Sequence, residues 1–390
     1  IMATFFLIVI YITFISLGLP DSLLGSAWPI IQVDLAVPLS GAGLISMIIT
    51  GGTIVSSLLS NKLINIFGTG KVTCISVAMT ALALLGFSAA PSYIWLCLLA
   101  IPLGLGAGAI DSALNNFVAL HYKASHMSWL HCFWGVGATV GPVIMSVFLT
   151  NGSSWKNGYK SIAIIQFSIV ALLIITLPMW RKIEKSDNQK TSYSEEKQEK
   201  INPLKLPGAK FVLLAFFCYC ATEMTTGLWA SSYLVNYKGI SPDIAARWVS
   251  LFYAGITLGR LISGFATAKF ENYMLIRIGQ IICILGALIF ILPLPSTFSM
   301  IALILIGLGC APIYPSMLHD TPNRFGEAAS QSIMGFQMAC AYIGSTLAPP
   351  LLGILASRFN MIIFPFFLLI LIITMLICSE KTNLFLKERR

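Results

Sequence analysis

The chain has 390 residues, of which 57% are apolar and 10% charged, and it carries a net charge of +9. That balance excludes an ordinary soluble globular domain. Nine cysteines lie singly within apolar stretches without a CxxC pair, so a thiolate metal site has no sequence support and no cofactor is expected.

Twelve apolar windows follow one another at 3–31, 41–66, 71–90, 93–121, 126–150, 160–180, 208–236, 243–269, 273–293, 297–319, 328–355 and 360–379. A hydrocarbon core takes roughly 20 apolar residues per helix, so each window predicts one span. One hydrophilic stretch, from Arg181 to Lys210, interrupts them. The expectation is an all-α membrane protein of twelve transmembrane helices in two pseudo-symmetric six-helix halves. Residues 1–180 form the first half and 208–380 the second, joined by a cytoplasmic linker, 181–207, and followed by a cytoplasmic tail, 381–390. The linker is charged and poor in aromatics, so it cannot bury enough apolar surface to fold alone. The first window has no basic region before it and no small-residue cleavage site after it, so it reads as a retained helix.

The basic residues set the orientation. With both termini and the linker in the cytoplasm, 19 of the 24 Lys and Arg fall on that side, the bias that orients membrane proteins. The charge excess is therefore a topology signal, with no nucleic-acid partner implied. A multi-pass protein of the plasma (cytoplasmic) membrane is expected, as a monomer in contact with membrane lipid.

The halves echo one another at an offset of about 202–207 residues. Asp21 and Gly25 in span 1 answer to Glu223 and Gly227 in span 7. Gly104 and Gly106 answer to Gly307 and Gly309, and Gly137 with Pro142 to Gly344 with Pro349. Parallel repeats of this kind place a transporter's substrate site near the bilayer midplane.

Ionisable and polar side chains within spans are costly, and each is a functional candidate. In span 1, Asp21 forms an i, i+4, i+7 stripe with Gly25 and Trp28. Removal from water disfavours its charged form, which suits a proton carrier; the alternative is an acid capping a helix break after Pro20. In span 4, Asp111 is followed by Asn115 one turn on and by Asn116, a set able to hydrogen-bond a polyol. In span 5, His131 shares a face with Trp134. His121, His126 and His131 are evenly spaced, but an intervening loop argues against a metal site. Gln166 in span 6 and Gln337 in span 11 are amides suited to a wet cavity, and Glu223 in span 7 is a second titrating or cation-binding acid. Trp134 and Trp229 lie inside spans, where they could wall a pocket. The run around Lys71 lacks the glycine and hydroxyl of a phosphate loop, with Asn65 and Val72 in their places. No HExxH or GxSxG occurs, so an enzyme is not expected.

The whole chain resembles the major facilitator superfamily. SNKLINIFGTGK occupies the place of its loop between spans 2 and 3, G-x-x-x-D-R/K-x-G-R/K-R/K, with Asn61 standing for the Asp and Lys62 following. GITLGRLISGF, with Arg260 and Gly264, is the second-half counterpart. Within the superfamily the chain is similar to the fucose permease branch, which includes the sodium-dependent glucose transporters of animals. Asp21 in P-D-S-L-L matches the branch's N-D-x-L-L, and GAIDSALNNF matches G-x-x-E-T-A-A-N-P with Asp111 for Glu. Leu130-His131, Trp134-Gly135 and Gly137-Ala138 through Pro142 fit L-H-x-x-F/W-G-x-G-A-x-x-x-P.

The resemblance implies a secondary transporter of a neutral sugar, a hexose, in symport with H⁺ ahead of Na⁺ by alternating access. Asp21 and Glu223 would serve cation coupling. Asp111, Asn115, Asn116, His131, Trp134, Gln166, Trp229 and Gln337 would bind substrate, and Asn61, Lys62 and Arg260 would belong to gating loops. Trp134 stands where fucose permeases have an amide and His131 where they have a Gln, which argues against L-fucose itself. The rival readings are a proton-coupled exporter of drugs or amphipathic metabolites, and a receptor or scaffold that does not transport.

Overall fold

The computed structural model describes residues 2–122, 124–150, 152, 154–187, 206–267 and 269–387. All of their regular structure is helical, and twelve stretches are long and apolar enough to cross a membrane. These follow the twelve windows in order. The chain separates into two compact units, Ile1–Glu195 and Glu196–Arg390.

The first unit comprises α1 (Met2–Asp21), α2 (Leu23–Asp34), α3 (Gly41–Phe67), α4 (Thr69–Ala89), α5 (Tyr93–His121), α6 (Ala124–Thr150) and α7 (Trp155–Asp187). Helices α1 and α2 together make the first span, broken at Ser22. The break follows Pro20, which has no N–H to give to the carbonyl of Ser16. Ser22 itself keeps right-handed helical angles, and Gly25 and Trp28 beyond it are buried in α2 whereas Asp21 is exposed. Gly68 alone turns the chain from α3 into α4, with φ +82°, a backbone conformation that favours glycine.

The second unit comprises α8 (Ala209–Asn236), α9 (Pro242–Ala266), α10 (Asn272–Ile291), α11 (Phe298–His319), a short α12 (Thr321–Phe325), α13 (Glu327–Phe359) and α14 (Ile363–Lys387). Each unit packs by the same scheme. In the first, α1 packs on α6, α3 on α5, and α4 on α5 and α7; in the second, α8 packs on α13, α9 on α11, and α10 on α11 and α14.

Small residues make those approaches possible. A Cβ added at Gly104 would overlap the carbonyl of Ile49, and one at Gly307 that of Phe252, each partner displaced by the same 203 residues. Likewise Gly137 lies against Ile15 and Gly344 against Phe217. The repeat thus extends to which backbone each glycine touches. A core of Phe6, Phe14, Leu114, Phe117, Leu130 and Trp180 fills part of the first unit.

Three helix ends depart from the windows for local reasons. Helix α7 begins at Trp155 rather than near 160, where the buried Trp155 donates its indole N–H to Asp34 at 2.9 Å. It continues to Asp187, into the segment expected to be linker, and 188–205 lie outside the described residues. Helix α14 runs to Lys387, through the start of the expected tail. Glu380 there takes two hydrogen bonds from Arg277, both 2.6 Å, and Phe385 stacks on Phe211 at 5.7 Å.

Candidate functional site

In the first unit the polar candidates concentrate on α1, α5 and α6. Asp21 ends α1 with an exposed side chain and accepts a hydrogen bond from Trp134 Nε1 at 2.8 Å. The two residues are 113 apart in sequence. Their helices are held close because Gly18, one turn before Asp21, lies against the backbone carbonyl of Trp134. His131, one turn before Trp134, is half-buried and meets Phe14 edge-on at 5.7 Å.

On α5, Asn115 donates from Nδ2 to Asp111 Oδ1 at 2.9 Å. Asn115 Oδ1 is buried and accepts nothing among the described residues. A buried acceptor without a donor costs about 1–3 kcal/mol, so the pair presents an unmet demand for a hydroxyl or N–H. Asn116 is exposed, and at 3.6 residues per turn it points about 140° around the helix from Asp111. The structure therefore joins Asp111 to Asn115 and leaves Asn116 on another face.

Gln166 has a different occupation. It is fully buried, and its Nε2 donates to Ser16 O at 2.5 Å. That carbonyl is the one Pro20 leaves without its helical donor, so Gln166 completes α1 from a neighbouring helix. Its Oε1 is buried without a hydrogen bond among the described residues.

In the second unit Glu223 lies midway along α8, with Arg260 Nη2 at 3.7 Å from its Oε1. Both side chains are largely buried, 15% and 18% exposed. The structure places Arg260 within α9, six residues before its end, so its charge is met inside the bundle. The phenols of Tyr219 and Tyr314 lie close enough to interact electrostatically with the same guanidinium. Sequence reasoning missed Tyr219, although it stands four residues before Glu223 and hence on its face.

Trp229 is fully buried and donates its indole N–H to Pro349 O at 2.8 Å, tying α8 to α13. Gln337 is fully buried, accepts from Thr321 Oγ1 at 3.1 Å, and keeps Nε2 without an acceptor among the described residues. Lys62 is exposed on α3, and the side chain of Asn61 lies outside those described. Among the described residues no group of three His, Cys, Asp or Glu could hold a metal ion.

Two repeated helical bundles, with acids at matching points of their first spans, define a multi-pass membrane protein of the secondary-transporter class. The profile described as Major Facilitator Superfamily matches residues 10–349 and also 211–386. The chain belongs to the Major Facilitator Superfamily, and it is a secondary transporter of small molecules. It is 24% identical over 378 residues to "Bypass of stop codon protein 6" of Saccharomyces cerevisiae (strain ATCC 204508 / S288c), covering 88% of this chain and 76% of that one. It is 25% identical over 278 residues to "Glucose/mannose transporter GlcP" of Bacillus subtilis (strain 168), covering 68% and 66% respectively. Its fold is similar to that of a solved mutant of the nucleoside transporter NupG, with a TM-score of 0.76, 14% identity and coverage of 97% and 98%.

Proposed function

We propose that this protein is a symporter that moves a neutral hexose with a proton, by alternating access. The observation that carries the reading is the Asp111–Asn115 pair. One carboxylate and one unmet amide oxygen lie a turn apart, and both can accept from hydroxyls. A sugar supplies such donors in abundance, and an analogue lacking one leaves the acceptor unpaired. His131 adds a donor or acceptor, and Trp134 offers a ring face to the apolar side of a pyranose. The similarity to a glucose/mannose transporter supports the hexose class.

Asp21 is the acid suited to carry the proton. It is exposed, so it can be reached, and it accepts the indole N–H of Trp134. Glu223 faces a guanidinium instead, which fits a charge contact that changes between conformations. Gln166 supports the site through the first bundle, in which it is buried, and Trp229 and Gln337 brace the second bundle.

The test is sugar-induced proton movement in proteoliposomes at fixed low sodium, with D-glucose, D-mannose and other hexoses. External alkalinisation on adding one of them supports proton symport and identifies the sugar. Asp21→Asn should abolish uphill accumulation while sparing exchange. Absence of proton movement with every hexose would overturn the reading.

A further inference from the structure

We propose that Trp134 is the positioning residue of the coupling acid, its indole N–H tying the state of Asp21 to whatever lies against the indole ring. The inference rests on the reading of Asp21 as that acid. Two observations carry it. The indole N–H reaches Asp21 Oδ2 at 2.8 Å. The backbone that carries the indole is seated against Gly18, where a side chain of any size would collide with the Trp134 carbonyl. Donor and acceptor therefore project from two backbones in direct contact, which fixes their separation.

Tryptophan has a single donor and no acceptor. A hydrogen bond from it to a carboxylate is charge-assisted and roughly twice as strong as one to a neutral group. The indole thus favours the ionised acid, and a proton arriving on Asp21 weakens the bond. A ligand stacked on the ring moves the same N–H. Linkage is reciprocal: the factor by which the ligand alters proton binding is the factor by which the proton alters ligand binding.

Other ionisable groups stand on the packed helices, among them Cys132 on α6, Tyr159 on α7 and Lys62 on α3. On α6, His126 is bonded to Tyr11 at 2.9 Å and His131 lies against Phe14. On α5, His121 is bonded to the Phe117 carbonyl and Asp111 to Asn115. On α2, Asp34 is bonded to Trp155, and α7 presents the uncharged Gln166 to Ser16, its charged residues lying toward its ends. Of these, His131 and Asp111 are the groups within the middle of the bundle that would also register a change at Asp21.

The deciding variant is Trp134→Phe, which keeps an aromatic ring and removes the N–H. In the purified protein without sugar, infrared titration follows the carboxyl stretch that Asp21→Asn abolishes. The expected result is a midpoint about one pH unit higher in Trp134→Phe, the tenfold change that loss of one charge-assisted hydrogen bond brings. An unmoved midpoint would overturn the proposal, whether or not any sugar is transported. In proteoliposomes with D-glucose or D-mannose, the same variant should displace the pH profile of uphill accumulation, whatever change in KM the altered ring brings. A changed KM with an unmoved profile would make Trp134 a substrate contact alone and would also overturn it. Failure of Asp21→Asn to impair accumulation would instead remove the reading of Asp21 on which the proposal stands.

Discussion

Asp21 terminates a broken helix and takes an uncharged N–H from Trp134, whereas Glu223, 202 residues on, sits in an unbroken helix beside Arg260. The same offset relates Pro20 to Thr222 and Ser16 to Cys218. Where Pro20 denies Ser16 its helical donor, Thr222 keeps its own N–H, and its hydroxyl also bonds the Cys218 carbonyl at 2.8 Å. A single difference, proline against threonine, accounts for one first span being interrupted at its acid and the other continuous. At the interruption stands an exposed carboxyl bonded to an indole N–H. The continuous helix buries one whose charge is matched. The repeat has thus kept the packing and divided the chemistry.

The strongest way to break that contrast is to remove the cation. Arg260→Leu leaves the Glu223 carboxylate buried without its counter-ion, which should cost about 3–5 kcal/mol. Thermal melting in detergent would read it. Adding Glu223→Leu should recover most of the loss, because two apolar groups have no charge to strand. If Arg260→Leu melts like the parent protein, the pair contributes nothing and the two acids have no reason to behave differently.

A test of what the halves share comes next. Gly137→Ala and Gly344→Ala each drive a methyl into a carbonyl of the neighbouring first span, and each should destabilise by about 1–3 kcal/mol. Comparable losses of melting temperature would confirm that both positions serve close packing. A large loss at one and none at the other would confine the glycine contact to a single half.

The twelve spans were legible because hydropathy is a local property, and a window of about 20 residues contains all of it. The glycine correspondences were legible too, since a repeat preserves order. Side-chain partners were not. Trp134 reads from sequence as a pocket wall, because nothing near it says that its N–H meets a residue 113 positions earlier. Arg260 lies near the end of its window and reads as a loop residue until Glu223 is seen to compensate it from another helix. The Asp111–Asn115 pair is recoverable, being a one-turn spacing, whereas Asn116 is adjacent in sequence but separated from Asp111 by helical geometry. Pro20 marks a helix break in the sequence, but that Gln166 donates to the Ser16 carbonyl follows only from how α7 packs on α1.

That last relation offers the finest comparison between the halves. Gln166→Leu removes a side-chain donor to the carbonyl that Pro20 deprives of its i+4 N–H, and in hydrocarbon no water stands in for it. The loss should be about 1–3 kcal/mol, the cost of leaving a buried polar group unmet. At the corresponding place in the second half, Thr222→Val removes a hydroxyl bond but leaves the helical N–H in position, so its cost should stay below about 1 kcal/mol. Melting curves of the two variants would separate them. Restoring an N–H with Pro20→Ala should then make Gln166→Leu nearly neutral, because the helix would supply the donor that the glutamine brings from outside. If Gln166→Leu remains equally costly in that background, the glutamine acts through packing, and the proline does not explain why it is there.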